Sequence, residues 1–238
     1  MKTRNTPTCG ILTWAAASLI IGTAPLLAGG GTKVPSGPSA PTVTHASAGG
    51  VKSGPYYGLE GGVNLADPLK LSQPLPGSTS SQISLQTGFR VSGRFGYAYM
   101  ITDKASLGLE LEVGFMYNSL KTATNVSNTG TVTSGSASGD YLQVPIMVNA
   151  IFNWEFAPKW GVFAGGGAGY DALFLSSTAR RNVIGTDGQF AWQVIGGLTY
   201  RLSSNWDLSA AYKYLSVQPE GLKTQANHGI LVDFIYRF

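Results

Sequence analysis

The chain has 238 residues, 43% of them hydrophobic but only 12% charged, with 32 glycines and a formal charge of +4. Soluble domains carry roughly 25% charged residues, and beyond the N-terminal region no stretch is apolar throughout, so an ordinary soluble domain and a bundle of membrane helices both fit poorly. Sixteen bases stand against twelve acids, and losing Lys2 and Arg4 with a leader brings the balance near neutral, which gives no support to nucleic-acid binding.

Lys2 and Arg4 precede an apolar stretch over residues 11–28, which ends Pro25-Leu26-Leu27-Ala28 before Gly29-Gly30. This pattern predicts a secretory signal peptide over residues 1–28, cut after Ala28. An uncleaved anchor is the competing reading, because about 18 apolar residues just span a bilayer. The single cysteine, Cys9, lies inside this segment, so the rest of the chain offers no disulfide, thiolate nucleophile or cysteine metal site. Residues 29–54 are rich in Gly, Pro, Ser, Thr and Ala and read as a flexible periplasmic tail or linker.

Residues 55–238 form the main domain, with eight segments of strand pattern at 56–65, 83–101, 106–120, 140–156, 160–174, 189–202, 206–217 and 228–238. Side chains of a strand alternate between two faces. In the last segment Ile230, Val232, Phe234, Tyr236 and Phe238 share one face, and Leu231, Asp233, Ile235 and Arg237 the other. In the third, Leu107, Leu109, Leu111, Val113, Phe115 and Tyr117 oppose Glu110, Glu112 and Asn118. In the second, Leu85, Phe89, Val91, Phe95, Tyr97 and Tyr99 oppose Gln86, Arg90, Ser92 and Arg94. The connections 66–82, 121–139, 175–188 and 218–227 are long and polar; 102–105, 157–159 and 203–205 are short. An even strand number with long loops at one end and tight turns at the other predicts an all-β fold, an eight-stranded antiparallel up-and-down transmembrane β-barrel with both termini periplasmic. Alternation alone also suits a β-sandwich with its apolar faces inward. Aromatic placement separates the two. Tyr57, Tyr97, Tyr99, Trp154, Trp160, Tyr200, Trp206, Tyr236 and Phe238 gather near the short turns. Phe115, Tyr117, Tyr141, Tyr170, Phe174, Trp192, Tyr212 and Tyr214 gather near the long loops, with aliphatic residues between the bands. Two such bands match the two membrane–water interfaces.

The face opposite the apolar belt collects Glu60, Arg90, Arg94, Glu110, Glu112, Glu155, Arg201, Asp207, Lys213, Asp233 and Arg237. An eight-stranded barrel has an interior just wide enough for side chains to fill, and ions confined there must pair. These residues are expected to form a polar network in the lumen rather than a conduction path. Glu110 and Glu112 suit acid–base chemistry only if a nucleophile and a pocket accompany them; each is expected to bind an arginine across the lumen instead. Gly165-Gly166-Gly167-Ala168-Gly169-Tyr170 lacks the following helix that a phosphate loop requires, so its glycines are expected to make room for bulky lumen groups. His228, with Glu220 near it and no serine at a suitable spacing, reads as a rim histidine; His45 lies in the linker. Arg180, Arg181 and Lys121 stand in long loops, where lipopolysaccharide phosphates are possible contacts. No catalytic residue, cofactor or metal site is expected.

Tyr141-Leu142-Gln143-Val144-Pro145, the run 165–170, the stretch 192–202 with Gly196-Gly197 and Tyr200-Arg201-Leu202, Tyr212-Lys213-Tyr214 and terminal Phe238 together resemble the outer-membrane protein β-barrel family, that of OmpX and of the transmembrane domain of OmpA. The resemblance covers roughly residues 55–238 and implies an integral barrel of a Gram-negative outer membrane. It implies a structural role in envelope integrity, with surface-exposed loops for adhesion or host and environment interaction. Unlike in OmpA, no peptidoglycan-binding domain is expected after the barrel. The alternatives are passage of small apolar solutes, as in OmpW-like barrels, and a lipid A-modifying enzyme, which the missing triad disfavours. Expected partners are outer-membrane lipid and lipopolysaccharide, the barrel-assembly machinery and periplasmic chaperones; the barrel is expected to be a monomer that binds no nucleic acid.

Phe234, Tyr236 and Phe238 also fit a C-terminal assembly signal, read by strand addition with alternate side chains held in pockets. Deleting Phe238 is expected to slow membrane insertion and leave precursor or degraded chain in fractionated cells. Wild-type assembly levels after the deletion would contradict the signal.

Overall fold

In the computed structural model, residues 53–238 are described except 74, 178–179 and 220–221, and for 176–188 only the backbone is described. The leader at 1–28 and nearly all of the 29–54 linker, with Cys9 and His45, lie outside the described residues, as do Glu220 and the side chains of Arg180 and Arg181.

The fold is all-β and antiparallel, with eleven strands among the described residues: β1 Gly54–Ala66, β2 Leu69–Lys70, β3 Ser78–Leu85, β4 Gly88–Thr102, β5 Ala105–Ser127, β6 Val132–Ser136, β7 Gly139–Ala157, β8 Trp160–Ser177, β9 Arg180–Arg201, β10 Trp206–Val217 and β11 Gln225–Arg237. Hydrogen-bonded pairing runs β5-β4-β1-β11-β10-β9-β8-β7, and β7 pairs in turn with β5. The path therefore returns to its start, and each of these strands has a partner on both edges. The first and last strands close it, from Tyr56 opposite Arg237 to Ala66 opposite Asn227. Phe238 N donates to Pro55 O at 3.3 Å, and Tyr57, Tyr236 and Phe238 stack at the seam with ring centroids 5.2–5.8 Å apart.

The sequence expectation of eight strands misses β2, β6 and most of β3, which lie in connections expected to be loops. β2 is only two residues long, and β6 and the start of β3 are rich in Ser and Thr, so the period-two signal that marks a half-buried strand is weak there. The connection 121–139 holds the end of β5 and β6, which pair from Val126 opposite Val132 to Thr122 opposite Ser136. β8 and β9 continue to Ser177 and from Arg180, well into the expected 175–188 loop. The expected segment 83–101 is two strands, broken at Gln86 and Thr87. Asn118 fills the break: its Nδ2 donates to Gln86 O at 2.8 Å. The break resets the alternation, so Leu85 packs against an inner cluster while Phe89 faces outward.

The sense of the alternation is the decisive feature. Leu59, Leu109, Val148, Ile230 and Phe234 are 51–66% exposed on the outer face, whereas Glu60, Arg90, Glu112, Lys213 and Asp233 are 0–2% exposed on the inner one. This excludes the sandwich with apolar faces inward. Aromatics rim the outer face at both ends, with Trp154, Trp160 and Trp206 toward the short turns and Phe89, Phe115 and Trp192 toward the other end. Tyr141 departs from its expected outer band. It sits at an inward position of β7, 1% exposed, and its hydroxyl donates to Gln225 Oε1.

The glycine run in β8 makes room, as its missing helix implied. A Cβ on Gly167 would lie 1.9 Å from Asn149 Oδ1, and one on Gly165 would lie 2.5 Å from Ile151 Cδ1. Asn149 is thereby free to reach the carboxylates described next.

Candidate functional site: the sealed interior

Period-two geometry in β1, β4, β5, β10 and β11 aims Glu60, Arg90, Arg94, Glu110, Glu112, Lys213 and Asp233 at one central volume. Glu112 is the hub. Its Oε1 accepts from Arg90 Nη2 at 2.8 Å, Lys213 Nζ at 2.9 Å and Ser92 Oγ at 3.1 Å. Its Oε2 accepts from Asn149 Nδ2 at 2.9 Å and Gln193 Nε2 at 2.8 Å. Lys213 Nζ also lies 2.6 Å from Glu60 Oε1, which accepts from Ser92 Oγ as well. Arg94 Nη1 donates to Glu110 Oε2 at 3.1 Å and Nη2 to Asp233 Oδ2. Glu110 further takes the Tyr56 hydroxyl at 2.9 Å and Asn149 Nδ2 at 2.9 Å.

Glu110 and Glu112 each hold an arginine, as expected, but from the neighbouring strand β4 rather than across the lumen. The ion that does cross is Lys213, reaching from β10 to β5. An ion left alone in such a setting costs several kcal/mol, so the multiple donors on Glu60, Glu110 and Glu112 help make the arrangement tenable, whereas Asp233 rests on Arg94.

Glu155, Arg201, Asp207 and Arg237 form a second group toward the short turns. Arg237 Nε donates to Asp207 Oδ2 at 2.6 Å, and Arg201 pairs with Glu155 and lies 3.6 Å from Asp207 Oδ1. Every residue expected in the lumen network therefore faces inward, in two connected layers. A cavity of about 30 Å³ lies among the turn-side group, and one of about 10 Å³ beside Tyr56 and Arg94. Each has room for on the order of one or two water molecules. Arg90, Glu112 and Lys213, the next ions toward the loop end, are fully buried.

Sequence reasoning missed two features. Asp171 is fully buried and accepts from Gln143 Nε2 at 2.7 Å. Its signal was its place in step with Gly165, Gly167 and Gly169 on the inner face of β8. The other is an apolar cap toward the loop end, with Leu69, Met116, Tyr141, Met147, Leu173 and Leu215 at its centre. These residues occupy the polar face of their strands, and two of them lie in segments where alternation weakens. Beside the cap the β5–β7 ladder pairs Val113 with Ile146 and Met116 with Gln143 but skips the positions between. Pro145 stands there and has no N–H to give, with Gly114 packed against it.

His228 lies on the outer face, its Nδ1 2.7 Å from the Tyr212 hydroxyl and its ring against Tyr214. No group of three or more His, Cys, Asp or Glu side chains with metal-binding geometry occurs among the described residues.

The description "Outer membrane protein beta-barrel domain" matches residues 36–238. No curated protein matches the chain in sequence. Among solved structures, Neisserial surface protein A is similar with a TM-score of 0.53 at 16% identity, covering 78% of this chain and 98% of that one. The outer membrane protein OprG from Pseudomonas aeruginosa is similar with a TM-score of 0.52 at 14% identity, covering 80% and 98%. At such identities the likeness concerns the fold.

Arg94→Ala is expected to destabilise the folded chain by roughly 3–5 kcal/mol, because it leaves Asp233 buried without its donor, and Arg90→Ala by less, because Lys213, Ser92, Asn149 and Gln193 still hold Glu112. Urea unfolding of the lipid-reconstituted protein measures this, and unchanged midpoints for both would contradict a packed interior.

Proposed function

From a chain that belongs to the outer membrane protein β-barrel family, and is thus an integral outer-membrane protein, we propose a non-enzymatic barrel that supports envelope integrity and displays its loop-end strands outside the cell. In this reading β1, β4, β5 and β7 to β11 are eight transmembrane strands. The short turns and both termini are periplasmic, residues 1–28 are removed as a signal peptide, and the barrel is a monomer within its membrane. Assembly machinery and periplasmic chaperones handle the chain on its way, the former reading Phe234, Tyr236 and Phe238. Outside, Lys70, Lys121 and Lys223 are exposed, and Lys121 shares the outer face with Phe115 and Tyr117, a suitable height for lipopolysaccharide phosphates. Adhesion or contact with host and environment falls to the protruding β3, β5 and β6.

The observation that carries the reading is the interior: Glu60, Glu110 and Glu112 are each held by more than one neighbouring side chain, while Arg90 Nε and Nη1 and Asp233 Oδ1 are buried without a hydrogen-bond partner. A group held by two to five donors at 2.6–3.3 Å is a structural element, poorly suited to taking a substrate. His228 is likewise engaged, on the outer face, with tyrosines rather than a serine and an acid.

A second reading, passage of small apolar solutes through the wall, draws support from the apolar cap and the skipped ladder at Pro145. Planar-bilayer recording and dye uptake separate the two. The structural barrel is expected to give no steady channel, and N-phenylnaphthylamine uptake by expressing cells should be the same for wild type and Pro145→Val. A reproducible conductance would overturn the sealed barrel, and uptake that falls with Pro145→Val would favour the second reading. Slower electrophoretic migration after boiling tests closure of the barrel itself.

A further inference from the structure

We propose that the free edge of β6 pairs with the same edge of a second copy of this chain standing in a facing membrane. β6 bonds to β5 along one edge. Among the described residues nothing pairs with its other edge, and all five of its residues are exposed. The register decides which backbone groups stand there. Ser127 N donates to Thr131 O at 2.8 Å and Ala137 N to Lys121 O at 3.1 Å. Bonded positions alternate along an antiparallel ladder, so Thr133 and Gly135 turn their N–H and C=O toward β5. Val132, Ser134 and Ser136 turn theirs outward.

An antiparallel copy of this edge fits with Ser134 opposite itself on a two-fold axis and Val132 opposite Ser136 on either side. That register makes about six backbone hydrogen bonds.

Charge argues for a like partner. Residues 122–139 contain no Asp, Glu, Lys or Arg, so identical copies meet without repulsion. Natural sheet edges are usually protected from such pairing by charge, proline or a bulge; β6 has no charge or proline, and its ladder with β5 runs without a register shift.

Geometry argues for a facing membrane. Barrels sharing one membrane point the same way, so a two-fold axis between them runs along the membrane normal and sets equivalent strands parallel. An antiparallel match needs an axis lying between two facing membranes. β5 carries its hairpin from Tyr117 to Ser127, roughly 30 Å of strand beyond the aromatic rim, which lifts the edge clear of the surface. This arrangement rests on the orientation proposed above. One contact of this size is weak, and many copies per membrane add through avidity.

The test uses the full-length protein reconstituted into phosphatidylcholine vesicles carrying donor or acceptor lipid dyes, with energy transfer reporting clustering. Wild-type vesicles are expected to cluster. Ser134→Pro removes an N–H that β5 does not use, and Ser134→Lys places like charges on the axis. Each should cut clustering about tenfold or more. Mixing Ser134→Lys vesicles with Ser134→Asp vesicles should restore it, because opposite charges then meet. Retained heat-shifted migration shows that each variant has kept its barrel, which separates failure of pairing from failure of the fold. Absence of clustering by wild type, clustering indifferent to both variants, or no rescue on mixing would each overturn the proposal.

Discussion

The carboxylate of Glu112 is the interaction on which the rest of the architecture depends. It is fully buried, and five donors from β4, β7, β9 and β10 converge on it. A single strand cannot supply that many partners, and neither can an open sheet, since β5 and β10 lie far apart in the pairing order. Ring closure is what brings Lys213 to it. The same closure leaves the apolar side chains facing outward, because the inner positions are already filled with ions and amides. Network and greasy exterior are therefore one arrangement viewed from two sides.

Closing the ring also divides the molecule by height. Toward the turns, ion pairs and small cavities remain near water. The middle is fully buried and densely ion-paired, although Arg90 Nε and Nη1, Arg94 Nε, Glu60 Oε2 and Asp233 Oδ1 have no hydrogen-bond partner, and above it the apolar cap around Met116, Met147 and Leu215 fills the other end. Leu71 bridges to Leu222, and Lys223 N bonds Lys70 O at 2.8 Å, so two loop-end connections are knitted together over that cap. In the function proposed above, with the interior given to packing, recognition is assigned to the strands that project past the aromatic rim, where side chains over 122–139 are small, mostly polar and uncharged.

Much of this was legible from residue order alone. Where one face is apolar and the other charged, as in 106–120 and 228–238, alternation placed strands and faces correctly, and it found every ion of the two interior layers. It failed where that contrast disappears. β6 exposes both faces, and β3 and the end of β5 are mostly half-buried, so their Ser and Thr give no clear period to read. Met116, Met147 and Leu173 sit inward as apolar residues, which makes both faces of their strands greasy and hides the cap. Tyr141 was misplaced because an aromatic near a loop fits an interface band as well as an inner wall; only its step with Gln143 and Asn149 distinguishes them. Partner choice within the network was equally illegible. Whether Lys213 meets Glu60, Glu112 or Asp233 depends on strand stagger, which no local pattern encodes.

Accessibility along β5 tests the central claim most directly. With Cys9 replaced, single cysteines placed in turn from Leu107 to Val113 can each carry a spin label in reconstituted bilayers. The account predicts high collision rates with membrane-dissolved oxygen at positions 107, 109, 111 and 113, and low rates with both oxygen and a water-soluble nickel chelate at 108, 110 and 112. Oxygen favouring the even positions, or the nickel reagent reaching positions 110 and 112 freely, would contradict it.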